Sequence, residues 1–362
     1  MLGYLEELQR FLEKEIGEVD AVVMPDFFVD RLISLNCGMK DFSVMLGEVV
    51  ERKGGSIDGI TQVELNGGNA VNTASALAAL DVKVTPIVCT SKLGLELIRF
   101  QLRALKVGLS HVKIFDKASI TTAIELENEK GKVNVMLRDV GALASFGPQD
   151  LTDEDFEAVE NADYVCVFNW AGTRRFGTEL AETVFQRVKN AGKGKTYCDT
   201  ADPTANKEEI PKLMRNVLQS KDVDILSLNE SEAVCYASQL SDKVEELRKV
   251  SKFDDLVKES ARILASRLTA RVDLHTAGFS ATFTRKGEII VPAFKVPVLR
   301  VTGAGDAWNA GNILGDAHRL SDEGRLALAN AVAAYYVSSP RGTHPTRKDL
   351  VQFIGRLKKG LA

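Results

Sequence analysis

The sequence predicts an α/β protein: a doubly wound, mostly parallel sheet with helices on both faces, plus a small second β-sheet. Three observations carry this. Beyond residue 150, short apolar runs alternate with stretches of helical periodicity, as expected of a parallel sheet with helical crossovers. Two β-rich pieces, at about 30–66 and 119–138, interrupt that rhythm and predict a small inserted sheet. The 362 residues are 45% hydrophobic and 27% charged, enough apolar material for a large core.

Leu2, Leu5, Leu8, Phe11, Leu12 and Ile16 recur at three- and four-residue spacing, so residues 1–19 are expected to carry an extra N-terminal amphipathic helix that packs on the domain. Ala21–Met24 reads as a buried strand. Gly54-Gly55 and Gly67-Gly68 punctuate the next stretch, where Ile57, Val63 and Leu65 predict short strands and no long helix. A helix over Asn72–Leu80, a strand over Val82–Cys89 and a helix over Leu95–Leu105 follow. Val112–Phe115, Thr121–Leu126 and Lys132–Arg138 read as strands, with Asn128–Gly131 as a hairpin turn. The regular part has strands at Tyr164–Phe168, Lys195–Asp199, Ile225–Leu228, Val272–Thr276, Ala281–Thr284 and Ile289–Val291. Its helices are Glu179–Asn190, Lys207–Leu218, Phe253–Leu268, Asp306–Leu314, Glu323–Val337 and Lys348–Lys358. There is no repeat and no low-complexity linker, so 1–362 reads as a single domain.

Acidic residues number 50 against 46 basic ones, which gives little attraction for nucleic acid or anionic membrane. No apolar run approaches the ~18–20 residues that span a bilayer, and the acidic start lacks the pattern of a signal peptide. Cys37, Cys89, Cys166, Cys198 and Cys235 are scattered without a C-x-x-C pair, and the four histidines show no metal spacing. A cytoplasmic protein with reduced thiols and small-molecule partners is expected.

The most informative segment runs from Val301 to Gly311, V-T-G-A-G-D-A-W-N-A-G. Its glycines let backbone amides approach an anion, and the helix that follows adds its positive N-terminal end. Asp306 falls in the first turn, where a carboxylate makes sense if it takes a proton from a nucleophile; a glycine turn capped by Asp306 is the plain structural reading. No G-x-x-x-x-G-K-[ST] is present, and Trp308 stands where G-x-G-x-x-G needs its third glycine. A second segment, Asn66 to Ala74, places Gly67-Gly68 before a helix, with Asn69 and Asn72 as neutral partners for hydroxyls or as caps. At the end of the Ile225–Leu228 strand, Asn229 and Glu232 are suited to water around Mg²⁺, or to capping a helix.

Together these segments resemble the ribokinase-like, or phosphofructokinase-B, family of carbohydrate and nucleoside kinases, from about Val22 to Phe353. Gly67-Gly68-Asn69-Ala70-Val71-Asn72 looks like its amino-terminal glycine motif and Val301–Gly311 like its carboxy-terminal signature. Pro292–Val296 resembles the family's lead-in, and Ala329-Asn330-Ala331 follows in a helix. The resemblance implies that the inserted sheet is a lid and that Asp306 is the catalytic base. It implies that Gly303, Ala304 and Gly305 form the anion hole, with Asp30, Gly68, Asn69 and Asn72 contacting the substrate. Asn229, Thr276, Gly278 and Asn330 fall at nucleotide positions, and Glu232 would organise Mg²⁺ through water. ATP or another nucleotide is the implied donor, and a homodimer through the lid the implied assembly.

There are departures. Phe28 stands where ribokinases tend to be polar, which argues against plain ribose. Asn169-Trp170 lies where a substrate residue is expected, predicting a partly aromatic pocket. Arg138 ends a lid strand, where it reads either as a solvated lid arginine or as placed to reach a substrate carboxylate or phosphate, while Arg174 and Arg175 read as surface charges. Many relatives bind potassium beside the anion hole through an aspartate at the position matching Arg300. Here the guanidinium is expected either to bond carbonyls of the Ser338–Thr346 loop, so that potassium is not required, or to face solvent. The function expected is transfer of a γ-phosphoryl group to a hydroxyl of a small sugar, polyol, sugar acid or nucleoside. A catalytically silent sensor on the same fold and a Rossmann oxidoreductase are the rivals. The intact anion loop with its base weighs against the first, and the failed glycine fingerprint against the second.

Overall fold

The structure, a computed structural model, describes residues 2–105, 107–128 and 131–358. In chain order the strands are β1 (Asp20–Met24), β2 (Phe28–Gly38), β3 (Thr61–Gly67), β4 (Lys83–Pro86), β5 (Cys89–Thr90), β6 (Lys113–Ile114), β7 (Ser119–Asn128), β8 (Gly131–Asp139), β9 (Tyr164–Phe168), β10 (Lys195–Asp199), β11 (Ile225–Leu228), β12 (Arg271–His275), β13 (Phe279–Thr284) and β14 (Gly287–Pro292). The main sheet has the order β14-β13-β12-β11-β10-β9-β1-β4, parallel from β12 to β4 with an antiparallel β13–β14 margin.

Successive side chains of its central strands leave on opposite faces, and both faces are apolar. Val22, Met24, Val165, Val167, Leu226 and Leu228 pack into one core. Ala21, Val23, Cys166, Phe168 and Ile225 pack into the other. The helices Asn69–Ala79, Ala304–Ala317 and Asp322–Ser338 cover the second face. The N-terminal helix, Leu2–Glu13, buries Leu5, Leu8, Phe11 and Leu12 against this layer; Met1 lies outside the described residues. Arg347 ties its end by donating to the carbonyls of Phe11, Leu12 and Lys14.

The small second sheet, expected to be a lid, is the mixed sheet β3-β2-β7-β8, in which only β2 and β7 run parallel. β7 and β8 pair out to Asn128 and Gly131, but residues 129–130 of the expected hairpin turn lie outside the described residues. One expectation is corrected here: the stretch 30–66 holds a helix, Met39–Glu51, as well as strands. It leaves Met39, Val44, Leu46 and Val50 exposed, so no buried face marks it in the sequence. The helix expected over Lys207–Leu218 is also broken, into a 3₁₀ segment (Pro203–Glu209), one α-turn (Ile210–Leu213) and a π-turn (Met214–Leu218). Pro211 removes an amide donor at this point. Among the described residues no helix is long and apolar enough to cross a membrane.

Candidate active site

The carboxyl ends of β1, β9, β10, β11 and β12 face the N-terminus of the helix Ala304–Ala317. Gly303 precedes that helix with φ of +85°, a conformation that suits glycine. A Cβ there would also lie 2.6 Å from the Tyr336 hydroxyl. The Gly303, Gly305 and Asp306 amides find no acceptor among the described residues, whereas the Ala304 amide donates to the Val301 carbonyl at 3.1 Å. Unpaired amides at a helix N-terminus form an anion site.

Asp306 is buried beneath this loop. Asn69 Nδ2 donates to its Oδ1 at 2.8 Å and Asn72 Nδ2 to its Oδ2 at 3.0 Å. The two glycine motifs, more than 200 residues apart in sequence, thus meet at one carboxylate. Burial outweighs those hydrogen bonds and pushes the Asp306 carboxyl up to about 8. Asn69 and Asn72 hold the carboxylate here, although amides of this kind read equally as partners for substrate hydroxyls.

Asp26 holds the other end of the motif, and the sequence reading passed it over. It is wholly buried and accepts from Asn69 N and Ala70 N, both at 2.9 Å, and from Asn169 Nδ2 at 2.7 Å. Gly68, with φ of +92°, brings the chain so close that a Cβ would lie 2.7 Å from Phe27 Cα. Asn169 also accepts from Gly172 N at 3.0 Å, so its amide joins β9 to the start of the glycine motif. Trp170 does not supply the aromatic wall expected from Asn169-Trp170: it is buried in the core and donates to Thr178.

On the lid side the Asp30 carboxylate lies against Gly67, where a Cβ would come within 2.3 Å of it. Burial raises its carboxyl to about 6, and its Oδ1 is buried without a hydrogen-bond partner. Arg138 lies with its guanidinium carbon 5.1 Å from the centre of the Phe28 ring. Arg174, expected at the surface, is half-buried, while Arg175 is exposed.

On the nucleotide side, Asn229 and Glu232 form a reciprocal cap. Asn229 donates through its backbone amide (2.9 Å) and Nδ2 (2.7 Å), and its Oδ1 accepts from Glu232 N (3.0 Å). Glu232 is buried and Asp199, Asp202 and Glu230 lie near it, so both burial and like charge raise its proton affinity. A buried acid facing other acids without a basic partner fits a divalent cation. Among the described residues no three acidic, thiol or imidazole side chains are arranged to hold a metal ion by themselves, and Mg²⁺ typically keeps several waters and uses few protein carboxylates.

Thr276 spends its hydroxyl on the β12–β13 turn, bonding Phe279 O at 2.7 Å and accepting from Gly278 N and Phe279 N. Gly278 is exposed at that turn. The strand-end side chain beneath the anion loop is His275: a Cβ on Gly305 would lie 3.2 Å from its Cε1. Its ring sits 5.1 Å from that of Trp308, and burial lowers its pKa toward the neutral form. Asn330 is buried, accepting from Trp308 Nε1 at 3.1 Å and donating to Pro292 O at 3.2 Å.

Arg300 turns inward to the loop. Its Nη2 donates to the Pro340 carbonyl at 2.9 Å and its guanidinium carbon lies 5.9 Å from the centre of the Tyr336 ring. Tyr336 in turn donates to the Thr302 carbonyl at 3.1 Å. These residues do not fit a monovalent cation, because a fixed positive charge already bonds a carbonyl of this loop.

The model of the pfkB family carbohydrate kinase matches residues 41–349. A curated relative, the ATP-dependent ribose-1-phosphate kinase of Halopiger xanaduensis, is 28% identical over 279 residues, covering 76% of this chain and 81% of its own. Arabidopsis thaliana ribokinase complexed with ribose and ATP superposes with a TM-score of 0.68 at 19% identity, over 94% of this chain and 99% of that one. Ribokinase from Cryptococcus neoformans var. grubii in complex with ADP gives 0.70 at 16% identity, over 93% and 99%. Adenosine kinase from Sinorhizobium meliloti gives 0.68 at 17% identity, over 95% and 99%. The structural likeness establishes the ribokinase-like fold.

Proposed function

From the premise that the chain belongs to the pfkB family of carbohydrate kinases, phosphotransferases with an alcohol group as acceptor, we propose that it transfers the γ-phosphoryl group of ATP to a small sugar, polyol, sugar acid or nucleoside, with Asp306 as general base. The observation that carries the reading is a buried carboxylate, fixed by Asn69 and Asn72, at the mouth of a helix N-terminus with unpaired amides. The acceptor lies between the lid and the sheet. Asp306 takes the hydroxyl proton as the hydroxyl oxygen attacks the γ-phosphorus in line and ADP departs. Amides of the Gly303–Gly305 loop meet the charge on the transferring group. When bound, Mg²⁺ supplies charge neutralisation on the phosphates, with Glu232 holding it through water. Lid closure excludes water and limits wasteful hydrolysis.

The test is ADP release over a panel of pentoses, hexoses, inositol, 2-keto-3-deoxy sugar acids, nucleosides and ribose 1-phosphate, the last being the acceptor named for the Halopiger relative. A kinase releases ADP with one class and not the rest; a silent sensor releases none while still binding a sugar.

Asp30 is the lid-side grip on acceptor hydroxyls in this reading. The Asp30→Ala variant is expected to lose roughly 1.5–3 kcal/mol of acceptor binding, a KM rise of roughly 10–150-fold, with nucleotide Kd little changed. Because burial holds this carboxyl at about 6, acceptor affinity should improve as pH rises through that value. An unchanged KM for every acceptor would place Asp30 outside the pocket.

Arg300 in place of a cation implies turnover without potassium. Activity in a tetramethylammonium buffer with Mg²⁺ should not respond to added potassium, and the Arg300→Asp variant should become dependent on it. Strong potassium activation of the wild type would contradict this.

A further inference from the structure

Two arginines flank the acceptor side, and neither has a carboxylate ion pair or a side-chain hydrogen bond among the described residues. Asp30 pairs with Thr121 across β2 and β7, and Thr121 pairs with Arg138 across β7 and β8. Residues in one such row project from the same face of a sheet. Arg138 therefore shares the face of Asp30, with its guanidinium over Phe28.

Arg174 arrives from the other side of the cleft. It lies in the loop after β9, whose Asn169 bonds Asp26. The Arg175 amide donates to the Ala144 carbonyl at 3.0 Å, and a Cβ on Gly172 would lie 3.0 Å from Leu143 Cδ2. Leu143 and Ala144 belong to the turn just after β8, so this packing brings Arg174 to the foot of the strand that carries Arg138. Burial and the like charge of Arg138 both disfavour the Arg174 guanidinium. Two cations from separate elements thus converge beside the acceptor; the charge of Arg138 acts on Asp30 and Asp26, but among the described residues neither arginine is held in a salt bridge.

We propose that the acceptor already carries a phosphate group, and that Arg138 and Arg174 clamp that phosphate while Asp306 activates a hydroxyl of the same molecule. The inference rests on the kinase reading and names its substrate class: a sugar phosphate. Guanidinium groups suit it because they bond phosphate oxygens in pairs and stay charged at any working pH. In the reaction a new O–P bond forms at the sugar hydroxyl and the bond from the γ-phosphorus to the β-phosphate oxygen breaks. ADP leaves with the electron pair, and the hydroxyl proton goes to Asp306. The clamped phosphate is unchanged and the product is a bisphosphate.

The experiment compares three pairs at saturating ATP and Mg²⁺: ribose 1-phosphate, ribose 5-phosphate and fructose 6-phosphate, each against its unphosphorylated sugar. The wild type should favour the phosphorylated member of at least one pair by ~10²-fold or more in kcat/KM. The Arg138→Gln and Arg174→Gln variants should each lose roughly 10–100-fold in kcat/KM on that substrate, mainly through KM, and inorganic phosphate should cease to compete. Melting temperature and nucleotide Kd report on the fold. A wild type that uses the free sugars equally well, or an Arg174→Gln variant with wild-type KM, overturns the clamp and leaves the kinase reading standing. If no compound yields ADP, the kinase reading fails. Calorimetry with the same sugar phosphates then decides the clamp alone: binding lost in both variants upholds it, and no binding to the wild type overturns it.

Discussion

The Asp306→Asn variant is expected to lose ~10²–10⁴-fold in kcat while keeping its fold and nucleotide affinity, the usual scale for removing a general base. The substitution keeps size, and the Asn72 amide can flip to present its oxygen to the new amide, so the hydrogen bonds need not be lost. The pH dependence carries the sign. Burial holds the Asp306 carboxyl at about 8, so the base form fills as pH rises, and wild-type kcat/KM should climb to a plateau above that value. Stability runs the other way. The folded protein holds this proton more tightly than the unfolded chain, so the contribution is full below about pH 4 and is lost as pH rises through about 8. The variant lacks that titration, so its melting temperature should gain on the wild type between those limits. Near-normal turnover, or an unchanged pH profile, removes Asp306 from the role of base.

The second large effect is expected at Asp26, which touches the acceptor in no part of the scheme. Truncation to Ala strands three buried donors: the amides of Asn69 and Ala70 and the side chain of Asn169. Such groups cost about 1–3 kcal/mol each when left unpaired. Relief of the buried carboxylate offsets part of this, leaving a loss of about 3–5 kcal/mol and a melting temperature lower by roughly 5–10 °C. Asn69 also donates to Asp306, so kcat should fall by about tenfold or more as the base loses its orientation. The Asp26→Asn variant keeps an acceptor and should lie between. Wild-type melting and turnover in Asp26→Ala would show that the glycine motif holds its place without this anchor.

The parallel sheet was readable because its strands are apolar on both faces and its crossover helices are periodic. The glycine turn and the first-turn acid of the helix Ala304–Ala317 were readable because such a turn leaves its mark in a short string. What escaped had long-range or face-dependent causes. The helix Met39–Glu51 buries no side chain, so no periodic core face marks it. Asp26 shows only as an acid after a strand; the residues it anchors lie 43, 44 and 143 positions away. Asn69 and Asn72 read as partners for hydroxyls or as caps because their carboxylate partner is 237 and 234 residues downstream. At the end of β12 nothing in the string marks His275 as the side chain beneath Gly305, because the residues it meets lie well downstream, in the helix Ala304–Ala317; Thr276, just after the strand, closes the turn with its hydroxyl.

The central claim is that a sugar-type hydroxyl accepts a phosphoryl group from ATP at Asp306. Phosphorus NMR of the wild-type protein with ATP, Mg²⁺ and the acceptor panel observes that transfer directly. The expected spectrum gains one new phosphomonoester resonance in equal amount to the ADP formed, and neither appears with the Asp306→Asn variant on the same timescale. ATP left intact while a sugar binds, or ATP converted only to ADP and inorganic phosphate, would contradict the account.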